Sequence, residues 1–197
     1  MAKGGKRAVD IFTDSGVVDR LGSWAAVIVR VDGSRGIVEA SGTLRAETDT
    51  FAGEARAIAN GLHHALKSGM IGPGELVAVR CDNEAVVKAF SGQRRAKRPL
   101  RRDVKEVRDY VKRLARLHKF RLRFAHIKAH RDPNCGSLFV LMNARADHLC
   151  CRELGSAREK SSSYGVTDKQ IETLSAQLQR SYRLSTMSEA VARLTGL

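Results

Sequence analysis

The chain has 197 residues, 43% of them hydrophobic, and a formal net charge of +14. That length and apolar content suit one globular domain of ordinary size with a small appendage. No run of about 18 apolar residues occurs, and MAKGGKRAVD has no apolar stretch behind its positive charges, so neither a membrane span nor a secretory signal is indicated and a cytoplasmic location is expected.

The first predicted strand is AVDIFTD, in which Val9, Ile11, Phe12 and Thr13 lead to Asp14, with Ser15-Gly16 expected to turn the chain. SWAAVIVRV (23–31) and GIVEASGTLR (36–45) follow as strands joined by a turn at Asp32-Gly33, completing an antiparallel meander. AGEARAIANGLHHALKSG (52–69) has Ile58, Leu62, Ala65 and Leu66 at helical spacing, with Gly69 near its stop. GPGELVAVRCD is a turn and a short apolar strand ending at Asp82, and NEAVVKAF is a short helix, which makes a βαβ crossover. From Pro99 to Leu117 the residues Leu100, Val104, Val107, Val111 and Leu114 mark a helix whose other faces are basic. KFRLRFAHIKAH alternates as a fifth strand, and NARADHLCCREL is the next helix.

Behind Gly155 the stretch GSAREKSSSYG has linker composition. Two short helices are expected after it, because Thr167 with Gln170 and Thr186 with Glu189 each have capping-box spacing. The organisation is therefore a domain over 1–155 and a linker with a short helical extension over 156–197, dispensable for folding. The apolar faces of the extension would dock on the chain itself, a twin or a partner. Cys81, Cys135, Cys150 and Cys151 lack zinc-type spacing and are expected as reduced thiols.

Positive charge is concentrated in residues 91–131, where sixteen Lys and Arg face only Asp103, Glu106 and Asp109. A field that local suits a polyanion, nucleic acid ahead of an anionic membrane surface. Four acids stand at element ends. Asp14 and Asp82 close strands whose ends can lie side by side, Glu54 shares the buried stripe of its helix, and Asp147 follows Asn143 by one turn. Taken singly, Glu54 could serve the helix N-terminus and Asp82 could cap the helix after it. Together the four would repel one another unless divalent cations neutralise them.

IFTDSG, GEARAIANGLHHAL, LVAVRCDNEAVV and HIKAHRDP…NARADHL, in that order, resemble the four sequence blocks of the type 1 ribonuclease H family, and the likeness covers residues 8–154. The resemblance implies an α/β fold with a five-stranded mixed sheet, three antiparallel strands followed by parallel crossover strands, and helices on both faces. It matches Asp14, Glu54, Asp82 and Asp147 to the family's acidic tetrad, His130 to its mobile-loop histidine, and Asn143 to the asparagine one turn before the last acid. It also implies two Mg²⁺ ions about 4 Å apart, replaceable by Mn²⁺, that activate water and stabilise the leaving oxygen of a phosphodiester. Asp14 would bridge them, Asp147 would help hold the ion that activates water, and Glu54 with Asp82 the ion facing the leaving group. His130 would move a proton near the nucleophile or assist product departure.

The segment ahead of the helix glutamate, TDTFAGE, lacks the asparagines with which the family touches 2′-hydroxyls, leaving backbone groups, Thr50 or Ser15 to substitute. TDSG also stands where TDGS is commoner, and the stretch from His130 to Asp147 is longer than the family norm. Asn83, beside Asp82, would contact nucleic acid as well. In place of the family's basic protrusion stands SGQRRAKRP, from which Arg94, Arg95, Lys97 and Arg98, continued by Arg101, Arg102 and Lys105, would form a shorter cationic handle. The implied activity is hydrolysis of the RNA strand of RNA·DNA hybrids. The alternatives are a structure-specific DNA endonuclease of junction-resolvase type and a non-catalytic nucleic-acid-binding module. A protein partner or self-association through residues 167–197 accompanies this reading.

Overall fold

A computed structural model describes residues 7–45, 49–93, 100–128, 137–155 and 166–195. The strands are β1 (Arg7–Val18), β2 (Leu21–Arg30), β3 (Ile37–Arg45), β4 (Leu76–Cys81) and β5 (Arg121–His126). The helices are α1 (Thr50–Lys67), α2 (Glu84–Phe90), α3 (Arg102–Leu117), α4 (Leu138–Glu153) and α5 (Asp168–Thr195). The sheet has the order β3-β2-β1-β4-β5. β1, β2 and β3 pair antiparallel, whereas β4 and β5 join parallel to β1 and to each other. This is the expected mixed sheet with helices on both faces.

Alternation along β1 divides the core. Val9 and Ile11 pack with Ile58 and Leu62 of α1 and Val104, Val111 and Leu114 of α3. Phe12, on the other face, packs with Val27, Met142, Ala146 and Leu149 under α4. A second polar position of β1, Asp10, is paired on that face with Arg80, whose Nε donates to Asp10 Oδ1 at 3.0 Å while the guanidinium lies over the Phe139 ring at 4.0 Å.

Four local expectations are corrected. β1 does not turn at Ser15-Gly16 but continues antiparallel to β2, with Ser15 opposite Trp24 and Gly16 opposite Ser23. The reversal falls instead at Asp19 and Arg20, both with positive φ. α1 begins at Thr50 with Asp49 as its cap, so Glu54 lies beyond the first turn. α4 begins at Leu138, so much of the long stretch before Asp147 is its opening helix. The extension is one helix rather than two.

The first capping box forms as spaced. The Thr167 N–H donates to Gln170 Oε1 at 2.8 Å and the Gln170 N–H donates to Thr167 Oγ1 at 3.3 Å. The helix then runs through Thr186, because a Thr-x-x-Glu motif caps only where the chain enters a helix from outside. Of the docking options, the chain itself is used: Val166 and Ile171 are buried, and Leu174 and Leu178 pack with them in the second core cluster. Arg145 of α4, 2% exposed, fastens the junction by donating to both Glu39 oxygens, to the Val166 carbonyl and to Asp168.

Candidate functional site

β1 delivers Asp14 to the point where β4 ends. Thr13 of β1 is in register with Cys81 of β4, so Asp14 stands level with Asp82, the next residue in each chain segment. Glu54 arrives from α1 on one face, and Asp147 arrives from α4 on the other. Asp14 is 9% exposed and Glu54 4%, while Asp82 and Asp147 are half-buried. All four acids fall within one electrostatic neighbourhood. Burial first, then the charges of Glu54, Asp82 and Asp147, push the Asp14 carboxyl well above the usual carboxylate range. Burial and Asp82 raise Glu54 to about 8 against the lowering effect of its hydrogen bonds.

The simpler roles for two of these acids do not hold. The side chain that caps α2 is that of Asn83, whose Oδ1 accepts from the Val86 N–H at 3.2 Å, so Asp82 is not the cap. Asp49 Oδ1 accepts from the Phe51 N–H at 3.0 Å and caps α1, and Glu54 instead points inward. Its Oε1 accepts from the Ser15 N–H at 3.2 Å and its Oε2 from the Cys81 thiol at 3.4 Å. Both oxygens of a buried carboxylate are thereby oriented.

The thiols are the part of the site that sequence reasoning missed. Among the described residues Cys81, Cys150 and Cys151 form no disulfide, as expected of reduced thiols, but they border the acids. The Cys151 thiol faces Asp147 Oδ1 at 3.7 Å, and Cys150 Sγ lies 2.8 Å from Ser23 Oγ. Burial and the nearby Glu54 push the Cys81 thiol up, which keeps it protonated and a donor. The available signal was the strand GPGELVAVRCD itself, which sets Cys81 one residue before Asp82. Glu54, Cys81 and Asp82 each bring a ligand atom within 4.8 Å of the others.

The remaining expected contacts are scattered. Ser15 Oγ and Asn143 Oδ1 are buried with no hydrogen-bond partner, and Asn143 lies one turn before Asp147 on α4. Thr50 is exposed at the first turn of α1. Asn83 is occupied as a cap through its oxygen. Arg101 bridges Asp49 and Asp103, and Arg102 Nε donates to Glu106 at 2.9 Å, so both are engaged within the protein, while Lys105 is exposed. His130, Arg94, Arg95, Lys97 and Arg98 lie outside the described residues.

The donor set suits divalent cations. Carboxylate oxygens are hard ligands, the raised Asp14 and Glu54 reflect burial first and then a mutual repulsion that cations would relieve, and two buried oxygens nearby retain unused bonding capacity. Among the described residues no helix is long and apolar enough to cross a membrane.

Comparison with known proteins agrees with this architecture. No curated protein matches the chain. Among solved structures, ribonuclease H1 of the halophilic archaeon Halobacterium salinarum superposes with a TM-score of 0.57 at 22% identity, over 74% of this chain and 96% of that one. The N-terminal ribonuclease H domain of a Mycobacterium tuberculosis protein, solved as a maltose-binding-protein fusion, gives 0.58 at 22% identity, over 79% and 99%. LC11 ribonuclease H1, solved in complex with an RNA/DNA hybrid, gives 0.54 at 25% identity, over 72% and 92%. The family described as reverse transcriptase-like matches residues 13–131, more than half of the chain. With the strand order and the crossover already on that pattern, the chain belongs to this family and has the ribonuclease H-like fold.

Proposed function

We propose that the chain is a divalent-cation-dependent nuclease that hydrolyses the RNA strand of RNA·DNA hybrids. The observation that carries this reading is the gathering of Asp14, Glu54, Asp82 and Asp147 from both faces of the sheet into one mutually repelling cluster. Family membership and the hybrid bound by LC11 ribonuclease H1 support it.

Asp14, central and buried, would hold two divalent cations in common, Mg²⁺ in the first place and Mn²⁺ as a substitute, with Asp147 on one side of it and Glu54 with Asp82 on the other as the remaining ligands. Bound there, the cations supply a nucleophilic water and stabilise the departing oxygen. The Ser15 N–H and the Cys81 thiol fix the carboxylate plane of Glu54, so that it meets a cation without reorganising. His130 moves a proton close to the attacking water or helps product leave. Ser15, Thr50, Asn83 and Asn143 contact the substrate near the scissile phosphate. Arg94, Arg95, Lys97, Arg98 and Lys105 hold backbone phosphates, and Arg101 and Arg102 join them by exchanging their exposed ion pairs with Asp49, Asp103 and Glu106 for phosphate, which sets affinity and register without reading sequence.

Residues 1–155 form the catalytic unit, active in the cytoplasm, and 156–197 are its linker and helical extension. Any self-association or partner binding through 167–197 falls to the part of α5 beyond Leu178.

The test is cleavage of matched RNA·DNA hybrid, RNA duplex, DNA duplex and four-way junction with Mg²⁺ or with EDTA. Cutting confined to the RNA of the hybrid, lost in EDTA and in Asp14→Asn, is the expected result. Preference for the junction would make the chain a structure-specific DNA endonuclease, a reading favoured by the absence of asparagines ahead of Glu54. Binding without cleavage of any substrate would make it a non-catalytic module.

A further inference from the structure

We infer that the free edge of the sheet, at the end away from the acidic cluster, carries a second nucleic-acid contact, a cationic belt that holds duplex phosphates. Residues 110–128 contain seven Lys and Arg and no Asp or Glu. All seven are exposed, and none of the six that precede the end of β5, Lys112, Arg113, Arg116, Lys119, Arg121 and Arg123, forms an ion pair among the described residues. The first half of α3 is different: Arg101 is paired with Asp49 and Asp103, Arg102 with Glu106, and Arg108 with Asp109. Positive charge is therefore balanced at the start of α3 and left unbalanced beyond it.

The topology sets this surface apart from the acids. After α3 the chain reverses through Lys119, whose carbonyl accepts from the Gly74 N–H at 2.7 Å, and the Arg121 N–H donates to the Glu75 carbonyl at 2.8 Å. Both contacts lie just before β4, whereas Asp82 follows its last residue, so about 20 Å of strand separates the two ends. Leu122 and Phe124 of β5 pack into the core with α3, and by alternation Arg121 and Arg123 project from the opposite face. α4 packs over β1, β2 and β3, leaving that side of β5 to its arginines. The belt thus wraps the edge strand.

Its chemistry selects phosphate backbone. Four of the six groups are guanidinium, whose planar fork matches phosphate oxygens. Among the described residues of the belt no exposed Phe, Tyr or Trp offers a platform for unpaired bases, only the small rings of His118 and His126: Tyr110 is half-buried near Arg113, and Phe120 and Phe124 turn inward. A membrane surface fits less well, because α3 spends its apolar face on the core and Leu117, 70% exposed, is the one large apolar side chain it shows.

Binding of the full chain to a DNA duplex of about 30 base pairs, in EDTA and across a salt series, tests the belt independently of cleavage, so failure of the hydrolase reading leaves the result interpretable. Replacing all six residues with Gln should flatten the slope of log affinity against log salt by at least about 1.8, two contacts at about 0.9 each. Cleavage of a short hybrid at saturation should be unchanged. The double variant Arg121→Gln/Arg123→Gln, the least able to disturb folding, should lower the slope by about 0.9 or more. Wild-type affinity and slope in both variants would overturn the inference. So would loss of binding to vesicles rich in anionic lipid with duplex binding intact, which would reassign the belt to a membrane.

Discussion

Asp14 takes its place from a strand that runs on past it. A buried acid is tolerated there because burial, and after it the charges of Glu54, Asp82 and Asp147, raise its pKa and favour the protonated form. Asp14→Asn keeps the shape and removes the repulsion, so cleavage should fall below detection while the melting temperature in EDTA stays level or rises. Full activity with Mg²⁺ in that variant would sink the proposed mechanism. His130→Ala should slow turnover and leave measurable activity, since proton transfer is one contribution among several. Cys81→Ala removes the hydrogen bond to Glu54 Oε2, and a bond of about 1 kcal/mol predicts a roughly fivefold weaker Mg²⁺ midpoint, with Cys81→Ser close to wild type.

A separate residue-scale prediction concerns acid. Burial would raise Asp32, but hydrogen bonds from Arg30 and Ser34 outweigh it and hold the carboxyl at about 2, below its usual 3.8. Glu75 is lowered in the same network despite burial, through Arg30 and the Gly72 N–H. A depressed carboxyl contributes stability that is present above its unfolded value and lost as pH falls through the folded one. Arg30→Gln should therefore melt lower than wild type at pH 6, and the two curves should converge between about pH 4 and 2. A constant gap over that interval would show that the network contributes nothing through ionisation.

At the scale of elements, the hairpin between β2 and β3 and the helix α5 are fitted to each other. Gly33 has φ +73°, and a Cβ there would come within 2.5 Å of the Leu178 carbonyl oxygen. The Ile37 N–H donates to Ser175 Oγ at 3.1 Å beside it. Gly33→Ala should cost about 1–2 kcal/mol from backbone strain alone and loosen α5, read as earlier proteolysis within residues 166–183. Arg145→Met should act on the same junction by leaving Glu39 without its partner, at a cost of about 3 kcal/mol in thermal or urea unfolding. These elements were partly legible beforehand. The spacing of Ile58 and Leu62 marked α1, and the box at Thr167 marked the start of α5, because both signals are local. The end of β1 was not legible, since Ser15-Gly16 is as good a turn as Asp19-Arg20 until β2 pairs across it.

For the whole molecule, the packing argues against a dispensable extension. Residues 156–197 include Val166 and Ile171, both buried in the second cluster, and each fully buried aliphatic side chain is worth about 1.5–3 kcal/mol. A chain ending at Gly155 should lose at least about 3 kcal/mol, and its acids should remain assembled, because none comes from the removed segment. Weak but Mg²⁺-dependent cleavage at low temperature is the expected outcome. The sequence by itself determined the meander of the first three strands, the βαβ crossover after them and the apolar stripe of α1, since period-two and helical patterns are properties of short segments. Only the tertiary structure decided that Asn83 rather than Asp82 caps α2, that buried thiols orient the acids and that Arg145 binds α5 to β3. Those outcomes depend on which side chains meet across elements far apart in the chain, and burial turns such meetings into shifted pKa values and obligatory hydrogen bonds.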